Sequence, residues 1–174
     1  MDDHSPRPSI PEPRLHLLKA ALEFVRHAGR LQGVTRLALA GSMTTAKAIP
    51  KDIDILVTIA SRADTRAIAG AARKLKGQTH YITLNADVFL VDAAGNCIGR
   101  TCPFREPSPR ARCWGLSCGH DTHVCDDTAD LKLARDLILA PPIELWPQVV
   151  RRVAVPADVE SILLAALELP EAVA

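Results

Sequence analysis

The chain has 174 residues, of which 48% are hydrophobic and 24% are charged. This length and composition predict one compact domain with a single core and exclude wholesale disorder. The formal net charge is only +1, so the overall charge gives no reason to expect a nucleic-acid partner.

The chain starts with the acidic, proline-ended stretch MDDHSP, which differs from the basic and then apolar start of a secretory signal peptide. No apolar run approaches the roughly 20 residues that a membrane-spanning helix needs. We therefore predict a cytoplasmic protein with no membrane partner. All five cysteines fall between Cys97 and Cys125, and in a reducing compartment such crowding favours a metal site over disulfides.

The predicted domain is α/β (α+β), with four parts along the chain. Prolines make residues 1–13 an irregular lead-in, and residues 14–94 form the core. Apolar periodicity and alternation predict the core elements: a helix over Leu15–His27, a strand over Arg36–Ala40, a short helix in 43–47, a strand over Asp52–Ile59, a helix over Ala63–Leu75, and extended runs over 81–84 and Ala86–Val91.

The second half of the chain is predicted to be less regular. Residues 95–127 show no period and hold every cysteine, so we expect a zinc-ordered insertion there. Residues 128–174 are predicted to be mainly helical, with a helix over Leu131–Leu139, a break at Pro141 and Pro142, a short element in Ile143–Val150, and a last helix over Pro156–Leu167 with Asp158 near its N-cap.

Two aspartates one residue apart open the clearest strand. In the alternating run 52–59, Asp52, Asp54, Leu56 and Thr58 share one face. Carboxylates two apart on a strand can share a pair of divalent ions about 3.5 to 4 Å apart, as in two-metal phosphoryl transfer. The alternative is that both carboxylates simply face solvent where the strand begins.

Two further features favour the metal site. Gly41-Ser42 ends the preceding strand at a spacing that can return the chain beside the aspartates, although alone the pair would be an ordinary turn. Asp87 lies within another apolar run, where an unpaired carboxylate is costly. Glycine lets backbone N–H groups approach a phosphate, and the neighbouring hydroxyl can donate one hydrogen bond.

The order of these features resembles the DNA-polymerase-beta-type nucleotidyltransferase superfamily, in particular its minimal single-domain branch. The features are the apolar strand over Arg36–Ala40, then Gly41-Ser42, then Asp52-Ile53-Asp54, and the later Asp87. The resemblance covers residues 36–92. It implies a small mixed sheet covered by helices, a triphosphate held by Gly41 and Ser42, and two magnesium or manganese ions bound by Asp52 and Asp54. Asp87 would complete the ion that activates the attacking hydroxyl and help to accept its proton.

The connector departs from the pattern of that family. Minimal members usually carry a basic residue soon after the Gly-Ser pair, followed by a small one, whereas here the connector reads Met43-Thr44-Thr45-Ala46-Lys47. Lys47 either contacts phosphate in place of that residue or is simply solvated.

The cysteines and histidines of the insertion predict a zinc site. Zinc takes four nitrogen or sulfur ligands, and a closed set makes the site structural. The preferred ligands are Cys102, Cys113, Cys118 and His123, and the substitutes are His120 and Cys125. Unliganded thiols, or disulfides in another compartment, are the alternatives.

The insertion is also rich in arginine, which raises the question of an acceptor site. A patch of Arg100, Arg105, Arg110 and Arg112, with Trp114 for stacking, could receive a phosphorylated acceptor or a nucleic-acid backbone. A solvated surface is the alternative.

We predict an enzyme that moves a nucleoside monophosphate from ATP or another nucleoside triphosphate to an acceptor hydroxyl on a small molecule, an RNA end or a protein. The alternatives are an inactive nucleotidyltransferase-like fold serving as a binding or regulatory module, for example in a toxin–antitoxin pair, and a zinc-dependent nucleic-acid-binding protein.

Overall fold

The computed structural model describes residues 12–80, 84–104, 118–119, 123–125 and 133–169. The predicted lead-in, apart from residues 12 and 13, lies outside these ranges, as do residues 81–83 of one predicted extended run.

The described part of the chain is a mixed α+β domain, as predicted. Its helices are α1 (Glu12–Ala28), α2 (Thr65–His80), α3 (Arg135–Leu139) and α4 (Ala165–Glu168), with a 3-10 turn at Gly41–Thr44 and a π-helical segment, Val159–Leu164, that runs into α4. Its strands are β1 (Val34–Ala40), β2 (Asp52–Ile59), β3 (Asn85–Asp92), β4 (Cys97–Thr101), β5 (Cys118–Gly119), β6 (Val124–Cys125), β7 (Ile143–Trp146) and β8 (Val150–Arg151).

The strands form one sheet in the order β5-β6-β4-β3-β2-β1-β7-β8. Within this described sheet, β2 and β3 are parallel and the other neighbouring strands are antiparallel. Helix α2 connects β2 to β3, because a parallel pair needs a long crossover. The shorter connector between β1 and β2 begins with the Gly41–Thr44 turn.

The two faces of the sheet are covered unequally. On one face, side chains of α1, α2 and the C-terminal helical segment bury Ile53, Ile55 and Leu90 in the main core. The opposite face carries a small cluster, Ala38, Ala40, Leu56 and Phe89, against which Leu133 and Leu137 pack. Leu56 and Phe89 mark the face that the alternation of β2 assigns to the aspartates, so the aspartates lie on the thinly covered side.

Most predicted core elements are confirmed. Strand β2 has the predicted bounds, β1 and β3 extend the predicted strands by one or two residues, and both long helices are found. The short predicted helix after Gly41-Ser42 is found as a single 3-10 turn that begins at Gly41 itself.

The second half differs more from the prediction. Residues 97–127 are not without regular structure, because β4 and the two-residue strands β5 and β6 lie in this range and extend the sheet beyond β3. Helix α3 begins at Arg135, later than predicted, because Ala134 is extended, with φ −62° and ψ 134°. The element predicted in Ile143–Val150 consists of β7 and the start of β8, and β7 extends the sheet beyond β1.

A buried arginine links three separate segments of the fold. Arg14 of α1 is only 3% exposed, and its Nη2 donates to Asp158 Oδ1 at 3.0 Å while its Nε also contacts that carboxylate. Its Nη1 donates to the carbonyl of Lys47 at 2.7 Å and to that of Thr45 at 3.3 Å. Arg14 therefore fixes the connector that follows Gly41-Ser42 against α1 and the C-terminal helical segment.

Arg14→Leu is expected to lower the free energy of unfolding by about 3 kcal/mol or more, because it leaves the Asp158 carboxylate and two connector carbonyls without their partner. Urea unfolding followed by circular dichroism measures this loss. The matched control is Lys74→Met, which removes an exposed ion pair to Glu23 and should cost less than about 1 kcal/mol. Equal losses in the two variants would contradict the role of Arg14.

Candidate active site

The register of the sheet places the predicted carboxylates side by side. Asp54 of β2 pairs with Ala40 of β1 on one side and with Asp87 of β3 on the other. Asp52 pairs with Asn85 in the same parallel ladder. Paired residues on neighbouring strands share a face and lie about 4.8 Å apart, so Asp52, Asp54 and Asp87 come together at one end of the thinly covered face.

The Gly41 turn lies directly against Asp54. Gly41 has φ +66°, and a Cβ built on it would lie 1.9 Å from Asp54 Oδ2. An L side chain would strain this conformation, and the Cβ would also collide with the carboxylate. The glycine therefore allows the end of β1 and the Asp54 carboxylate to touch, which is the proximity that the sequence spacing predicted.

Ser42 carries a polar atom without a partner. Its Oγ is buried and has no hydrogen-bond partner in the described part of the structure. The turn around it is held by its own hydroxyls, because Thr44 Oγ1 donates to the Gly41 carbonyl and Thr45 Oγ1 donates to the Ser42 carbonyl, both at 2.8 Å. A buried hydroxyl that lacks a protein partner normally bonds to water or a ligand.

The pKa of Asp54 is raised to about 6, first by burial and then by the nearby negative charges of Asp52 and Asp87, while Arg100 lowers it. The effect of both neighbours on one titration shows that the three carboxylates form one electrostatic group. The surroundings of Asp54 therefore disfavour its ionised form.

Arg100 of the predicted arginine patch makes a contact that the sequence pattern did not indicate. Strand β4 brings it opposite Phe89. Its Nη1 donates to Asp87 Oδ1 at 3.2 Å, and Asn85 Nδ2 makes a long contact of 3.5 Å with the other Asp87 oxygen. The run Asp92-Ala93-Ala94-Gly95-Asn96 was the available signal, because such residues favour a turn that returns residue 100 beside β3.

The carboxylates of Asp52, Asp54 and Asp87 offer oxygen atoms, the ligand type that magnesium prefers, but they are not arranged as a complete metal site. Among the described residues, no group of three or more His, Cys, Asp or Glu side chains is arranged to hold a metal ion. One oxygen of Asp87 is engaged by Arg100. The magnesium site at Asp52, Asp54 and Asp87 therefore stays a prediction that rests on shared face, register and charge.

The role of Lys47 also stays a prediction. Its side chain is exposed. Its backbone carbonyl accepts a hydrogen bond from Arg14, and its amide donates one to Thr45 Oγ1.

Two of the six candidate zinc ligands, Cys113 and His120, lie outside the described residues, and Cys118 is described only as part of β5. Cys102 and His123 are both buried, and they are neighbours across the sheet because the Cys102 amide donates to the His123 carbonyl at 2.7 Å. The zinc site stays a prediction, as does the arginine patch, of which Arg105, Arg110 and Arg112 are outside the described residues together with Trp114.

Comparisons with protein-family models, with curated proteins and with solved structures find no match to this chain. Across the described ranges, no helix is both long and apolar enough to cross a membrane.

Asp54→Asn is expected to raise the melting temperature at pH 7.5, because an ionised Asp54 opposes folding. Its folded pKa, about 6, lies above the value of about 4 in the unfolded chain. The stability linked to its proton is therefore complete below pH 4 and is lost as the pH rises through 6. Scanning calorimetry should show the advantage of the variant shrinking as the pH falls to 4.

The control for this titration is Asp64→Asn. Asp64 is exposed, and its Oδ1 accepts from the Ala67 amide at the start of α2, where asparagine caps equally well. An advantage of Asp54→Asn that is the same at pH 4 and 7.5 would contradict the assigned pKa.

Proposed function

We propose that this protein is a nucleotidyltransferase that moves a nucleoside monophosphate from a nucleoside triphosphate to an acceptor hydroxyl. The observation that carries the proposal is the contact between the Gly41 turn and Asp54, which leaves no room for a Cβ. This contact brings the turn that is proposed to hold phosphate beside the aspartates of β2 and β3, although Gly41 and Asp54 are 13 positions apart in the sequence. Resemblance to the polymerase-beta-type superfamily provides the reaction class.

Several properties of the site fit divalent cations. Asp52, Asp54 and Asp87 offer only oxygen ligands, which magnesium prefers. The raised pKa of Asp54, caused by burial and by the two other carboxylates, means that added positive charge would stabilise the ionised site. These three residues would hold the ions, which would neutralise charge on the phosphates and lower the pKa of the attacking hydroxyl.

The residues of the chain have separate tasks in the proposed reaction. Ser42 Oγ, buried without a protein partner, donates a hydrogen bond to the donor phosphates, and Gly41 lets their oxygens approach the backbone. The acceptor oxygen forms a bond to the α-phosphorus, and the bond from that phosphorus to the oxygen bridging to the β-phosphate breaks. Pyrophosphate leaves with the electron pair, and the hydroxyl proton passes to Asp87. Positioning and charge stabilisation supply most of the rate.

A second candidate is an inactive fold that binds a regulatory partner or nucleic acid. The Arg100–Asp87 ion pair favours it, because a guanidinium already neutralises part of the third carboxylate. The connector favours it as well, because the basic residue that usually follows the Gly-Ser pair soon afterwards is missing and Lys47, the residue that could replace it, is exposed. Zinc-dependent nucleic-acid binding finds no comparable support in the described residues.

Transfer of label from α-³²P nucleotides separates these candidates. Wild-type protein with magnesium or manganese, each of the four nucleotides and a cell extract is expected to label an acceptor, while γ-labelled nucleotide labels none. Asp54→Asn and Asp87→Asn should reduce the rate by at least about 100-fold, because each removes a charge that acts in the transition state. Asp64→Asn, with its charge far from the reaction, should retain it.

The inactive module predicts a different outcome. No labelling with any nucleotide, together with capture of a partner that Asp54→Asn leaves unchanged, would contradict the enzyme. Labelling that survives both Asp54→Asn and Asp87→Asn would show that another site, or a contaminant, performs the transfer.

A further inference from the structure

A cleft opens beside Asp87 on the side away from the Gly41 turn. The β3–β4 ladder pairs Phe89 with Arg100 and continues toward Val91, so Asn85 and Asp87 lie beyond its end. At this end, the segment after β4 no longer pairs with β3. It lies beside the residue that precedes β6, where the Cys102 amide donates to the His123 carbonyl. The resulting space is about 270 Å³ in volume.

The lining of this cleft is partly polar and partly apolar, and it includes two cations. Lys76, near the end of α2, and Arg100 of β4 flank Asn85, Asp87 and Thr101. Asp87 and Arg100 form an ion pair, whereas the Lys76 ammonium forms no ion pair among the described residues. The charged groups named here therefore sum to one net positive charge, next to a strand pair that is otherwise acidic.

The order of the strands separates the two sides of the site. Gly41 follows β1, the aspartates lie on β2 and β3, and the cleft is bounded by β4. Neighbouring strands are about 4.8 Å apart, so the Gly41 turn and β4 lie roughly 14 Å apart across the sheet. The two sides can hold two different molecules with Asp87 between them.

We infer that this cleft binds the acceptor, and that the acceptor is a small phosphate monoester with a free hydroxyl, whose phosphate pairs with Lys76. The inference rests on the proposed nucleotidyl transfer, for which it supplies the acceptor class. A phosphate group suits an ammonium and a nearby guanidinium, and Asp87 faces the same space as the base for the hydroxyl. A volume just below the roughly 300 to 1,000 Å³ of drug-sized pockets suits a small molecule.

Binding of ribose 5-phosphate, measured by isothermal titration calorimetry without any nucleotide, tests the cleft separately from catalysis. Wild-type protein is expected to bind it and to bind unphosphorylated ribose at least about tenfold more weakly, because a charge-assisted contact is lost. Lys76→Met should weaken binding by at least about tenfold for the same reason, and Lys76→Arg should restore most of it. The matched control, Lys74→Met, removes an ammonium that is 71% exposed on the same helix and should change the affinity less than about twofold.

Several outcomes would overturn the assignment. Binding that Lys76→Met leaves unchanged, or no binding at all, would remove the anion site. Competitive displacement by ATP would place the donor in the cleft, and Lys76-dependent binding that favours an RNA oligonucleotide would replace the small acceptor with a polymer. Failure of the transferase proposal is recognised separately: Lys76-dependent binding would persist while no acceptor takes up α-phosphate label.

Discussion

The parallel pairing of β2 with β3 is the constraint on which the site depends. Because Asp54 and Asp87 are register partners, two carboxylates that are 33 positions apart in the sequence share one face of the sheet. Gly41 then closes the group from the β1 side, where its missing side chain makes room for Asp54. A one-residue slip in this ladder would turn Asp87 toward the helices, and the buried contacts of Ile53 and Val88 on the opposite face prevent it.

The fold maintains a charge arrangement that opposes its own stability. Burial and the carboxylates of Asp52 and Asp87 raise the pKa of Asp54 to about 6, whereas a purely structural site would normally pair or remove such a charge. Arg100 compensates from one side only, through Asp87. At the other side the buried Ser42 hydroxyl lacks a protein partner. A ligand that brings positive charge and phosphate oxygens would satisfy both groups, which links the electrostatics to the proposed chemistry.

Sequence patterns predicted the acidic half of the site better than the basic half. Strict alternation fixed the face of Asp52 and Asp54, and local turn chemistry placed Gly41 beside them. Arg100 was named only as part of the arginine patch, and Lys76 was not recognised. Their positions beside Asp87 depend on where β4 leaves β3 and on where α2 ends, which the sequence pattern does not indicate. The sequence around β4 contains glycine and proline and lacks a period, so long-range pairing, rather than local preference, makes it a strand. The buried Arg14 was missed for the same reason, since its partners lie 33 and 144 positions away.

We propose that the three aspartates form one binding site for divalent cations. Titration of carboxyl-labelled protein with manganese, followed by carbon NMR, tests it most directly because the paramagnetic ion broadens the nearest carboxyl resonances. We expect the resonances of Asp52, Asp54 and Asp87 to broaden together at substoichiometric manganese, while those of Asp64 and Asp136 remain sharp. Broadening that begins at other carboxylates, or that reaches Asp54 without Asp87, would show that the three aspartates do not form one cation site.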